Sequence, residues 1–241
     1  MSGRIEGIRE QAHELMGRLL HPLALVLRRA GVTANQVTVA GVVLNGGAAA
    51  LILGDRLVVA GIVYLVAGSF DLLDGVVARL RGGSRFGAYV DSVLDRVSEG
   101  IVFAAIAGHL AERGRPAAAV LAVIALLGSV LISYSRARAE GLGCECEVGI
   151  VTRPERVLLL GAGLLFGFLV EAILVLVPLC TVVVIQRTIH TYRQLEKNRR
   201  NAQRDTAPED NAPEASGPEN RGPRNSAAEN SAPYNTDRGR G

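Results

Sequence analysis

The sequence predicts an all-α integral membrane protein: a six-transmembrane-helix bundle with an N-terminal amphipathic surface helix and a disordered C-terminal tail. Three observations carry this prediction. Of the 241 residues, 49% are hydrophobic and only 20% are charged, too apolar a balance for a typical soluble domain once the polar tail is set aside. The apolar residues gather in six runs separated by short segments bearing Arg and Gly. Residues 197–241 contain no Val, Ile, Leu or Phe and five of the nine prolines, so they cannot bury a core.

Residues 1–30 form the N-terminal segment, in which Ile5, Ile8, Ala12, Leu15, Leu19 and Leu23 recur at three- and four-residue steps. That period belongs to an amphipathic helix, lying on the membrane surface or packed onto the bundle by the same stripe. The membrane domain spans residues 31–196, with apolar runs at 36–53, 57–70, 100–110, 116–132, 157–170 and 172–185. Several fall short of the roughly 20 residues that a bilayer requires. The second and third reach full length once their helices include Asp71, Asp74, Asp91 and Asp95, which places these carboxylates inside helices. Only Glu171 divides the fifth run from the sixth, so the turn there is very tight or the boundaries shift. Pro178 and Asn45 inside spans are expected to mark a kink and a helix contact.

Arginine distribution orients the bundle. Arg79, Arg81, Arg85, Arg136, Arg138, Arg153, Arg156 and the two terminal segments fall on one side, against Arg56, Arg113 and Arg115 on the other. The positive-inside rule makes the Arg-rich side cytosolic, so both termini and the acidic cluster face the cytosol at a cell (inner) membrane. The net charge of +3, 4% aromatic residues and the absence of Trp argue against nucleic-acid binding. Cys144 and Cys146 have no second Cys/His pair nearby, which argues against a thiolate metal site. The four His residues form no ligand spacing.

The chemistry lies in Asp71 to Arg96. In helices, Asp71, Asp74 and Ala78 share one face, and Gly87, Asp91 and Asp95 share another. A turn near Gly82 and Gly83 makes the two helices antiparallel and lets the acidic pairs face each other at one membrane edge. Four carboxylates there repel unless cations join them. Oxygen-only ligands favour Mg²⁺ or Mn²⁺, and four acids can hold two such ions around a diphosphate. Gly75, Ala78 and Gly87 leave the same faces without bulk, so a nucleotide can approach the backbone.

Asp71, Asp74, Gly75, Ala78, Arg79, Gly87, Asp91 and Asp95 fill every fixed position of D-x2-D-G-x2-A-R followed by G-x3-D-x3-D, and the chain is identified on them as resembling the CDP-alcohol phosphotransferase family. Gly31 to Thr38 is also similar to the family's segment before the first span. The resemblance implies a six-helix enzyme, commonly dimeric, that transfers a substituted phosphate from a CDP-linked lipid such as CDP-diacylglycerol to a second alcohol and releases CMP. It implies that Asp71, Asp74 and Asp91 hold two Mg²⁺ ions, with Mn²⁺ as a substitute. Asp95 would ligate one ion and take the acceptor hydroxyl's proton. Asn35, Gln36, Gly75, Ala78, Arg79 and Ser84 would contact the CDP group.

Tyr134 to Gly143 and Arg153 to Arg156 resemble the subgroup that joins inositol 1-phosphate to a CDP-lipid, of diacyl or archaeal ether type. Arg136, Arg153, Arg156 and Arg187 have the guanidinium chemistry to hold the phosphate of such an acceptor. Glycerol 3-phosphate satisfies the same arginines, and loop arginines also serve orientation and headgroup binding. A divalent-cation carrier is the reading of a different class, but it requires polar residues continuing across the membrane, whereas these acids crowd at one edge.

Overall fold

The computed structural model describes residues 22, 24–27, 29–81, 84–146 and 148–205. The expected amphipathic helix of residues 1–30 falls almost wholly outside the described residues, as do Gly82, Gly83 and the tail from residue 206 on. Among the described residues, six helices follow Gly31: α1 (Ala34–Leu53), α2 (Leu57–Arg81), α3 (Arg85–Glu112), α4 (Pro116–Gly141), α5 (Arg153–Phe166) and α6 (Leu169–Asp205). No strand occurs among the described residues.

Local chemistry sets where the helices start. Thr33 and Gln36 close a capping box on α1: the Thr33 backbone N–H donates to Gln36 Oε1 at 2.9 Å and the Gln36 N–H donates to Thr33 Oγ1 at 3.3 Å. Ser84 caps α3 by accepting from the Gly87 N–H at 2.9 Å. Pro116 opens α4 where no backbone donor is needed. On α5, the Thr152 N–H donates to Glu155 Oε2 at 2.7 Å.

Among the described residues, four helices are long and apolar enough to cross a membrane: residues 34–53, 57–80, 116–141 and 169–203. The protein is therefore a helical membrane protein. Two helices fall short of that measure for physical reasons. α3 carries Asp91, Asp95, Arg96 and Glu99 within its first fifteen residues, and α5 has only 14 residues, three of the first four being Arg or Glu. At 1.5 Å per residue, α5 spans about 21 Å.

The division between the last two apolar runs shifts from its expected place. α5 ends at Phe166 and Gly167 takes φ +78°, a left-handed conformation that glycine adopts without a Cβ clash, so the chain reverses there. Glu171 lies in the first turn of α6 rather than between helices. α6 runs on through Asp205, past Lys197 where composition places the start of the tail. Helix-forming residues and the Glu196–Arg200 pair, 3.3 Å apart at i,i+4, support that extension without a core. Pro178 does lie inside a helix, and Asn45 Nδ2 donates to Gly41 O at 3.0 Å.

The residues up to Arg200 form one compact unit, and those from Asn201 on form another. Within the first, α1 packs on α2 and α3, α2 also on α5, and α3 also on α4. The core runs through Ile52, Ile106, Leu160, Leu164, Ile173 and Leu176. Glycines bring α2 and α5 close. A Cβ on Gly68 would fall 2.7 Å from Val157 Cγ1, and one on Gly61 would fall 2.9 Å from Leu165 Cγ. The pairings Gly61 with Leu165 and Gly68 with Val157 make the two helices antiparallel. Asp71, one turn past Gly68, thus meets Arg153, one turn before Val157.

Candidate active site

The acids of α2 and α3 are joined in two crosswise pairs. Arg153, at the start of α5, bridges Asp71 and Asp95: its NH2 lies 3.0 Å from Asp71 Oδ2, and its NH1 contacts Asp95 Oδ1. Thr38 of α1 bridges the other two, donating from Oγ1 to Asp74 Oδ2 at 2.9 Å and lying 3.5 Å from Asp91 Oδ1. Thr38 and Asp74 are both buried. α1 presents Gly41 to Asp71, where a Cβ would stand 3.4 Å from Oδ1, so the helix backbone passes close to the acid.

As placed, no three acidic, His or Cys side chains among the described residues form a group that could hold an ion. The expected four-acid cluster is instead split into pairs, because neighbouring carboxylates repel until a cation or a donor stands between them. Arg153 supplies the one and Thr38 the other. The donor set fits a hard divalent cation, since all four side chains offer carboxylate oxygens from facing helices.

The two largest cavities described beside the acids lie on different sides of the pairs. The larger, about 570 Å³, has Asp71 and Asp95 in its wall together with Arg136, Arg153, Arg156 and Arg187. All four arginines named from sequence as acceptor ligands thus meet around one space. Their own partners differ. Arg136 pairs with Glu140 at 2.7 Å, both half-exposed, and Arg156 is buried against Glu99 at 3.2 Å. Arg187, 6% exposed, donates only to backbone carbonyls among the bonds described, from Nε to Val148 O at 2.9 Å and from NH1 to Ile132 O. Its charge is therefore available to an anion.

The smaller cavity, about 230 Å³, is bounded by Asn35, Gly75, Ala78, Ser84 and Gly87 with Asp74 and Asp91. A Cβ on Gly87 would press to 3.1 Å from Ser84 Oγ and 3.3 Å from Asn35 Oδ1. Two expected nucleotide contacts stand apart from this wall. Gln36 has its side-chain oxygen committed to the helix cap, and Arg79 is exposed, its NH1 near Gly75. Sequence reasoning missed Thr38, Ser129 and Glu99. Glu99 had a legible signal, being the next position in the series Gly87, Asp91, Asp95; Thr38 and Ser129 had none, since hydroxyls are common in spans.

The chain belongs to the CDP-alcohol phosphatidyltransferase family, whose pattern matches residues 31–187. It is a transferase of that family. Archaetidylinositol phosphate synthase of Methanothermobacter thermautotrophicus is 34% identical over 198 residues, covering 79% of this chain and 97% of the relative. Phosphatidylinositol phosphate synthase of Mycobacteroides abscessus is 38% identical over 159 residues, covering 65% and 72%. Among solved structures, Mycobacterium tuberculosis phosphatidylinositol phosphate synthase with CDP-DAG bound aligns with TM-score 0.66 and 32% identity, over 73% of this chain and 94% of that one. A second structure of the same enzyme, in complex with manganese and citrate, aligns with TM-score 0.65 and 33% identity, over 72% and 88%.

Proposed function

We propose that the protein transfers the phosphatidyl-type group of a CDP-linked lipid to inositol 1-phosphate, with release of CMP. One observation carries the reading: the four aspartates stand between a cleft walled by small residues and a cavity walled by four arginines. A diphosphate with a nucleoside fits the first, and a phosphorylated polyol fits the second. The names of the relatives favour inositol phosphate over glycerol phosphate.

Asp71, Asp74 and Asp91, with Asp95, are the residues that would hold divalent cations, two Mg²⁺ ions with Mn²⁺ as a substitute; manganese in the neighbour's structure supports this. When bound, the cations neutralise charge on the diphosphate oxygens. Asn35, Gly75, Ala78 and Ser84 border the nucleotide, and Arg79 reaches it from the open side. The acceptor hydroxyl oxygen forms a bond to the phosphatidyl phosphorus while that phosphorus's bond to the bridging diphosphate oxygen breaks. CMP leaves with the bridging oxygen and the hydroxyl proton passes to the Asp95 carboxylate. Arg136, Arg153, Arg156 and Arg187 orient the acceptor by its phosphate.

The same reading sets all six helices in the membrane behind an interfacial N-terminal helix, with the arginine-rich side and both termini in the cytosol of the cell, and pairs the chains as a homodimer. Residues 31–196 are the catalytic domain, and the tail beyond is dispensable for chemistry. The test is CMP release by the purified chain from CDP-diacylglycerol and Mg²⁺ with inositol 1-phosphate, glycerol 3-phosphate or inositol. Release with inositol 1-phosphate alone is expected; preference for glycerol 3-phosphate overturns the acceptor, and release with none overturns the reading.

A further inference from the structure

Glu99 belongs to none of the ligand sets above, yet it ties three helices together in the wall of the acceptor cavity. It stands one turn past Asp95 on α3. Its Oε1 accepts from Ser129 Oγ on α4 and from Arg156 NH2 on α5, the latter at 3.2 Å. The Arg156 and Glu99 side chains are 5% and 9% exposed, and Ser129 is fully buried. A buried ion pair is retained only where its geometry is well satisfied, because both charges lose their water. One polar atom is nevertheless left over. Arg156 Nε is buried and has no hydrogen-bond partner among the described residues, although the Arg156 side chain lines the 570 Å³ cavity. Such a donor costs stability until an acceptor reaches it.

We infer that Glu99 is a positioning residue for the acceptor: with Ser129 it fixes the Arg156 guanidinium in the cavity wall, so that the unpartnered Nε–H is held for an oxygen of the acceptor's phosphate. This rests on the acceptor-phosphate role of Arg156 proposed above. The arrangement removes the rotamer freedom that a lone arginine would lose on binding. Glu99→Gln keeps an oxygen at the same place without the charge, so comparing it with Glu99→Ala separates position from charge.

The experiment uses the full chain, purified in lipid nanodiscs, with two readouts: inorganic phosphate affinity by calorimetric titration, and KM for inositol 1-phosphate and for CDP-diacylglycerol. Glu99→Ala is expected to weaken phosphate binding and raise the acceptor KM at least about tenfold, with the CDP-lipid KM within about twofold. Glu99→Gln restores both to within about threefold. Ser129→Ala, which removes one hydroxyl, gives a smaller shift in the same direction and serves if Glu99→Ala does not fold. On an Arg156→Lys background, Glu99→Ala adds nothing further to the acceptor KM. Equal effects on both substrates, additive effects with Arg156→Lys, or no phosphate binding by the parent chain overturn the inference. A parent chain that binds phosphate but releases no CMP with inositol 1-phosphate defeats the synthase reading alone, and the titration still judges Glu99.

Discussion

Thr38 donates its hydroxyl to Asp74 inside the bundle, where both residues are buried beside the smaller cavity. Thr38→Val keeps the shape and leaves a buried carboxylate short of a donor, a loss of about 1–3 kcal/mol. A fall in the thermal midpoint, largely restored by Thr38→Ser, is expected from unfolding followed in detergent. Asp95 makes a different prediction. Asp95→Asn removes the proton acceptor and lowers kcat by about 10²–10⁴-fold, while CDP-lipid affinity measured by direct binding stays within a few-fold. An active variant removes Asp95 from its role. At Gly87 a methyl group meets Ser84 and Asn35 at once, so Gly87→Ala is expected to raise the KM for CDP-lipid and leave that for the acceptor unchanged. At this scale the acids and the cavity arginines were legible, because carboxylates in helical phase beside apolar runs are too costly to bury unless a cation or a ligand meets them. Thr38 and the commitment of Gln36 to a cap were not, because a polar side chain's partner depends on tertiary contacts that spacing does not encode.

The contact of α2 with α5 is what brings Arg153 to Asp71. Gly68 and Gly161 let the two backbones approach, and a side chain at Gly68 has to displace Val157. Gly68→Val is expected to cost about 1–3 kcal/mol by overpacking and to separate Arg153 from the acids, so that stability and turnover fall together. Gly46→Ala, whose added methyl has nothing within 4 Å, is the control and is expected to leave thermal stability and kcat unchanged or to stabilise. The helices themselves were readable from apolar runs and caps. Their ends were less so: Gly167 moved the α5–α6 turn because left-handed backbone, not hydropathy, decided where the chain reversed. α6 outran its apolar stretch because helix propensity and an i,i+4 ion pair act without burial.

Across the described residues, the four aspartates, the four arginines and both cavities of the candidate site are drawn from α1 through α6. Removing residues 206–241 is therefore expected to leave kcat and both KM values within about twofold, whereas chelating divalent cations abolishes turnover reversibly. The hydropathy of four helices marks the membrane directly, whereas α3 carries several charges in its first fifteen residues and α5 is only 14 residues long. In α3 the acids of the candidate site are themselves what lowers the apolar signal. Diffraction from crystals of the chain grown with Mn²⁺ and CDP-diacylglycerol bears most directly on the site. Anomalous density between α2 and α3, within coordination distance of Asp71, Asp74, Asp91 and Asp95, is the predicted result. No peak there, with the diphosphate bound elsewhere, contradicts it.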